Sequence, residues 1–113
     1  MVEKTSSLYL LVLLAMSDHE LHESEAIKIN QIAHDLHIKF NVNDAIEEIN
    51  TKFRDDFDTA CDLYMSNIQD DKVKKASIKF MKEVTIADAK LHDREIKFLE
   101  KCKAKWGPEY FSE

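Results

Sequence analysis

Two short segments of the chain share one pattern of residues that are able to bind a metal ion. Residues 18–25 read DHELHESE and residues 88–95 read DAKLHDRE, so both follow D-x-x-L-H-x-x-E at an offset of 70. We call these segments the two cassettes. Each supplies a carboxylate, an imidazole and a second carboxylate at the same spacing. The candidate metal ligands are Asp18, His22, Glu25, Asp88, His92 and Glu95.

The ligand types indicate which metals the cassettes would bind. Carboxylates alone favour Ca²⁺ or Mg²⁺, whereas added imidazoles shift the preference towards Zn²⁺, Mn²⁺ or iron. An EF-hand is excluded, because that motif needs a longer loop with a central glycine and several further oxygen ligands. The H-x-x-E order reverses the E-x-x-H order of ferritin-like di-iron bundles, so that family is not indicated either. A divalent metal of the Ca/Mg or the Zn/Mn class is the expected cofactor.

The same residues also have a purely structural interpretation. The cassette histidines fall at the N-cap of the following helix, so the cassette glutamates fall at N3, where they can bond the cap N–H and favour the helix dipole. Asp18 and Asp88 lie instead at the end of an apolar helix, where the negative end of the dipole disfavours a carboxylate. Either N–H groups of the turn or a cation would compensate that cost. The sequence leaves both interpretations open.

Composition predicts an all-α fold in a single domain. The chain of 113 residues is long enough to bury a core, and no Ser/Gly/Pro-rich linker divides it, so residues 1–113 are taken as one domain. It holds one Gly and one Pro. A β-rich fold spends more of both on its turns, so helices are favoured.

Apolar residues follow the helical period in six segments, which we predict as helices at 5–17, 22–36, 43–53, 56–68, 71–87 and 92–106. The first contains LYLLVLLAM (8–16), which is short of the roughly 20 residues that span a bilayer. The residues before it lack the basic excess of a signal peptide. We therefore predict a buried, central helix of the mature protein.

Finer features of these helices are also predictable. We expect Ile27 to widen the buried stripe of the second helix and Ile96 to face inward on the sixth. Asn43 or Asp44 is expected near the start of the third helix. Gly107, followed by a proline, should end the sixth helix.

The sequence around the cassettes predicts an internal repeat. Each cassette lies between a very apolar helix and an amphipathic one, and the match extends beyond it, for example from Ser7 to Ser77. We predict a compact bundle of six helices, within a range of five to seven, built from two pseudo-symmetric helical hairpins. The repeat halves are about 5–36 and 71–106, packed about a rough two-fold axis and bridged by 43–68.

The charge of the chain limits the classes of partner that it can bind, and its cysteine content indicates the cellular compartment. The net charge of −6 repels nucleic acid and anionic membranes, so we expect neither nucleic-acid binding nor membrane insertion. Residues 71–113 nevertheless carry 11 basic and 8 acidic side chains. The basic ones lie mostly on one helix face, which is either solvated or a docking patch for an acidic partner protein, and they are Lys72, Lys74, Lys75, Lys79 and Lys82. Cys61 and Cys102 lie in apolar helical patterns and are expected to be core thiols in a reducing cytoplasm.

The residues around the cassettes resemble a known family. Their pattern resembles that of the TerB-like domain of tellurite-resistance proteins. It consists of an apolar helix, an Ala-Asp step or similar, a short turn, a hydrophobic residue, and a Glu at the start of the next helix. That family's signature has the broad form A-D-G-x-hydrophobe-x-x-x-E and tends to appear twice. The copy at 86–95, IADAKLHDRE, matches it better than the copy at 15–25, AMSDHELHESE. His19 and Ala89 stand where the family has glycine.

The resemblance implies a compact all-α domain of about this length, bacterial and cytoplasmic, with a role in tellurite resistance or a related stress response. It also implies that the acidic residues of the turns bind divalent cations. This carries over to the four cassette carboxylates, whereas His22 and His92 are additions of this sequence.

Two functions from different classes follow. The first is a metal-binding accessory domain that uses the cassettes. The second is a non-catalytic protein–protein interaction module in which the cassettes are only structural. An enzyme is not expected, because the sequence has no Gly-rich phosphate loop, no H-E-x-x-H and no nucleophile–histidine pairing in a recognisable context.

Overall fold

The computed structural model describes residues 2–16, 23–54, 56–86 and 93–107. Every regular element in these ranges is an α-helix. The helices are α1 (Val2–Met16), α2 (Glu23–Asp35), α3 (Val42–Phe53), α4 (Phe57–Ser66), α5 (Asp71–Ile86) and α6 (Asp93–Trp106). The predicted all-α bundle of six helices is therefore confirmed. In the part of the chain that is described, no helix is long and apolar enough to cross a membrane.

Helix α1 is the central element, as its sequence predicts. It packs against each of the other five helices. A helix that is apolar nearly all round has no face for water, so it is stable only when neighbours surround it. Its consecutive core side chains are at most 2% exposed, and they are Leu10, Leu11, Val12, Leu13, Leu14 and Ala15. Full burial of each large apolar side chain contributes about 1.5–3 kcal/mol.

The two cassette-bearing helix pairs lie side by side in the bundle. Helix α5 packs against both α1 and α2, and α1 also contacts α6. The buried Ser7 of α1 and Ser77 of α5 are hydrogen-bonded to each other. Helices α3 and α4 pack against each other and against α1, so the bridging segment covers one side of the central helix.

Two predicted helix ends differ from the observed ones by two or more residues. Helix α1 already begins at Val2, and α4 ends at Ser66 rather than at 68. The N-cap of α3 is Asn41, whose side-chain oxygen accepts the Asp44 N–H at 3.1 Å, and Asn43 and Asp44 lie in the first turn, as predicted. Val42 is 2% exposed and must lie in the first turn for its side chain to reach the core, which moves the cap back to Asn41.

The predicted end of α6 is confirmed. Gly107 has a φ of 109°, in the left-handed region that favours glycine, and its N–H donates to the Lys103 carbonyl at 2.8 Å. The end of α2 shows the same type of closure without a glycine. There His37 has a φ of 59°, and the N–H of Ile38 donates to the Ala33 carbonyl at 3.0 Å, as in a Schellman motif.

Two predictions of burial were wrong. Ile27 is 50% exposed and Ile96 is 37% exposed. The cause at Ile27 is a rotation of α2 about its axis. The buried stripe of α2 begins at Glu25 and continues through Ile29 and Ala33, so Ile27 lies about 200° away from it at 100° per residue. A carboxylate thus holds a core position that the hydrophobic pattern assigned elsewhere.

Candidate functional site

Both cassettes fall in the connection between two helices, at corresponding points of the two halves. Helix α1 ends at Met16 and α2 begins at Glu23, while α5 ends at Ile86 and α6 begins at Asp93. The predicted placement of each cassette between an apolar and an amphipathic helix is therefore observed. Four of the predicted ligands lie outside the described residues, and they are Asp18, His22, Asp88 and His92.

The two cassette glutamates lie within the helices that follow the turns. Glu95 is in the first turn of α6, where only its backbone position is described. Glu25 is in the first turn of α2, and its side chain is fully buried at 0% exposure. Glu23 lies in the same turn and is exposed. One helix start thus has an acid in water and a second acid in the core.

Burial of the Glu25 carboxylate has a chemical consequence. A charged carboxylate away from water is costly unless hydrogen bonds, an opposite charge or a cation compensate it. The positive end of the α2 dipole supplies part of this compensation. A glutamate that only favours the dipole can do so from the surface, as Glu23 is placed to do. Carboxylate oxygens are ligands that divalent cations accept, and Glu25 supplies a buried one at the edge of a cassette.

The described residues do not by themselves complete a metal site. Within 2–16, 23–54, 56–86 and 93–107, no three His, Cys, Asp or Glu side chains are close enough to hold a metal ion. The remaining predicted ligands of the first cassette lie in the segment between α1 and α2. Convergence of Asp18, His22 and Glu25 on one point therefore stays a prediction.

Comparison with known families shows which family the chain is related to. The family model described as "Tellurite resistance protein TerB" matches residues 4–105, which include both cassettes and all but the ends of the helical bundle. The chain belongs to the TerB family. The predicted family resemblance is thus confirmed, and with it a relation to tellurite-resistance proteins. Comparisons with curated proteins and with solved structures gave no significant match.

Sequence reasoning missed a polar groove on another side of this TerB domain. An open groove of about 610 Å³ lies between the first half of α1, the segment before α3 and α3 itself. In it the Tyr9 hydroxyl donates a hydrogen bond to the Glu48 carboxylate, across 39 residues of sequence. The Tyr9 ring stacks on Tyr64, with centroids 4.8 Å apart, and meets Phe40 edge-on at 5.4 Å.

The groove is built to hold a hydrogen bond and does not suit proton transfer near neutral pH. Burial raises the pKa of Tyr9, and the hydrogen bond and charge of Glu48 raise it further. The phenol therefore stays protonated and acts as a donor. One signal in the sequence pointed here: Tyr9 is the single polar side chain in LYLLVLLAM, and a tyrosine hydroxyl near a core usually requires a partner.

Proposed function

We propose that this TerB domain is a non-catalytic accessory domain that binds a divalent cation through its two cassettes and acts in the cytoplasm in tellurite resistance or a related stress response. The proposed ligands are Asp18, His22, Glu25, Asp88, His92 and Glu95. The observation that carries the proposal is the complete burial of Glu25 beside the first cassette. Membership of the TerB family supports the biological context.

The cassette residues have distinct roles in this proposal. Asp18 and Asp88 follow the C-terminal ends of α1 and α5, where a cation would offset the unfavourable meeting of a carboxylate with the helix dipole. The cassette glutamates supply a second carboxylate from the next helix, so the cation would join the two helices of each pair. The imidazoles of His22 and His92 would favour Zn²⁺ or Mn²⁺ over Ca²⁺ or Mg²⁺.

A second function is favoured by a different observation. Ile27 on α2 is 50% exposed and lines a shallow groove of about 510 Å³ with Asn30, Gln31, His34 and Asp35. An apolar side chain with polar side chains around it is an arrangement that also occurs in surfaces that contact a partner protein. In this alternative the domain is an interaction module, and the cassettes serve only to cap helices.

Thermal unfolding of chelator-treated protein separates the two functions. The wild type and an Asp18→Asn/Asp88→Asn variant would be heated with and without Ca²⁺, Mg²⁺, Mn²⁺ and Zn²⁺. A cation at about 100 times its Kd adds roughly 2.7 kcal/mol, which raises the Tm of a domain of this size by about 10 °C or more. A rise with one ion that is lost in the variant is expected. No rise with any ion, in a variant as stable as the wild type, would instead favour the interaction module.

A further inference from the structure

Three sulfur atoms from two helices meet in the core, at a place that the proposed function does not use. Cys61 and Met65 lie one turn apart on α4, and Cys102 lies on α6. Their side chains are 2%, 1% and 0% exposed, and both cysteines are free thiols, as the sequence predicted. The Cys61 Sγ is 3.5 Å from the Met65 Sδ, and the Cys61 and Cys102 side chains are hydrogen-bonded. We call these three residues the sulfur cluster.

We propose that the sulfur cluster binds one soft monovalent cation of the Cu(I) class. Thiolates and thioethers are the ligands that select Cu(I), whereas carboxylates and carbonyls select Ca²⁺, Mg²⁺ and Mn²⁺. On binding, the S–H bonds of Cys61 and Cys102 break, two protons leave to solvent, and two metal–sulfur bonds form without electron transfer. The Met65 sulfur supplies the third ligand and has no proton to lose.

One of the sulfur–sulfur distances is close to what a shared metal requires. Two sulfurs that each bind one metal at about 2.3 Å lie roughly 4 Å apart. The Sγ of Cys61 and the Sδ of Met65 are 3.5 Å apart, so a small increase in their distance would reach that separation. Because both residues project from one face of α4, the helix already holds two of the three ligands in place.

Ion pairs tie α6 to α4 beside the cluster. The Lys101 Nζ lies 2.9 Å from Asp58 and 3.8 Å from Asp62, and the Lys105 Nζ lies 3.8 Å from Asp62. Two thiolates and one monovalent cation carry a net charge of −1, which Lys101 is placed to offset. Asp58 and Asp62 are exposed and the two lysines are about one-third exposed, and ion pairs of this kind are weak enough to open.

The proposal is tested by letting the protein compete with a chromophoric chelator for Cu(I). The experiment is done without oxygen and with a reductant that is not a thiol. The wild type is expected to withdraw one Cu(I) per chain from the chelator. A Cys61→Ala/Cys102→Ala variant is expected to withdraw none. Met65→Leu keeps the side-chain volume and should weaken binding by about tenfold or more, since even loss of an outer partner of a metal ligand costs that much. Met81→Leu, at a fully buried methionine of α5, is the matched control and should bind like the wild type.

Several outcomes would overturn the proposal. Failure of folded wild-type protein to withdraw Cu(I) would do so, as would equal binding by the double variant. Oxidation of Cys61 and Cys102 to a disulfide without any Cu(I) binding would make the cluster a redox pair instead. X-ray absorption at the copper edge gives a test without any variant: a shell of sulfur ligands only is expected, and nitrogen or oxygen ligands would contradict it. The sulfur cluster shares no residue with the cassettes, so either proposal can fail while the other holds.

Discussion

The hydroxyl oxygens of Ser7 and Ser77 lie 2.7 Å apart in the core, and the two residues are separated by the same 70 positions as the cassettes. A contact between equivalent positions is what a two-fold relation produces, because the axis then passes between them. The contact supports the predicted repeat of two hairpins, whose boundaries stay a prediction. The Ser77 hydroxyl also donates to the Val73 carbonyl at 2.7 Å. Since a serine has one proton to donate, Ser7 is the donor in the Ser–Ser bond.

This assignment predicts unequal effects of two similar substitutions. Ser77→Ala leaves the buried Ser7 hydroxyl without its acceptor and should lower the free energy of unfolding by about 1–3 kcal/mol. Ser7→Ala should cost less, because Ser77 keeps its bond to Val73. The double variant should cost less than the sum of the two single variants. Urea unfolding measures all three, with the exposed Ser66→Ala as control. Additive costs would refute a direct bond between the two serines.

The Tyr9–Glu48 bond predicts a change in stability at alkaline pH. Tyr9→Phe removes the hydroxyl and should cost about 1 kcal/mol at neutral pH. In the folded state the pKa of Tyr9 is raised, so its contribution is complete below the unfolded pKa of about 10 and is lost as the pH rises beyond it. The difference between wild type and Tyr9→Phe should therefore shrink above that pH.

Chemical unfolding at a series of pH values measures this difference. Tyr64→Phe keeps the stacked rings and leaves the Tyr9–Glu48 bond in place. Because burial also raises the pKa of Tyr64, this variant is the control for the loss at neutral pH and not for the change at alkaline pH. A difference between wild type and Tyr9→Phe that grows with alkaline pH would show that the folded protein favours the ionised phenol, contrary to the account.

The rotation of α2 predicts opposite behaviour at two isoleucines that the sequence pattern treats alike. Ile29 is 0% exposed, so Ile29→Ala should cost about 2–5 kcal/mol of unfolding free energy. Ile27 is 50% exposed, so Ile27→Ala should change stability by only about 0.5 kcal/mol or less. Thermal or urea unfolding compares them directly. A large loss at Ile27 would mean that α2 buries the face that the sequence alone suggested.

Sequence patterns predicted the positions of the helices better than they predicted which face of each helix is buried. The helical period is local, so six helices, the burial of α1 and the end of α6 at Gly107 were all predictable. The rotation of a helix about its axis depends on its neighbours. A hydrophobic pattern cannot assign a core position to Glu25, and it therefore assigned one to Ile27. Helix α3 begins at Val42, one residue before the predicted start, because the burial of Val42 requires a place in the first turn.

In the candidate sites, too, the local features were predictable from the sequence and the contacts between distant residues were not. The doubled spacing of the cassettes is visible in the sequence, and so is their place between helices. The partnership of Tyr9 with Glu48 spans 39 residues, and that of Cys61 with Cys102 spans 41, so neither has a local signature. The first depends on how α1 packs against α3, and the second on how α4 packs against α6.

The measurement that tests the central claim most directly is calorimetric titration of chelator-treated protein with Mn²⁺, Zn²⁺, Mg²⁺ and Ca²⁺, for the wild type, Glu25→Gln and Glu23→Gln. Both variants remove one acid from the same turn of α2, but only Glu25 is buried. One of these cations should bind the wild type and Glu23→Gln with equal affinity, whereas Glu25→Gln should lose at least one binding event. Equal binding by all three proteins, or no binding by any, would contradict a metal site at the first cassette.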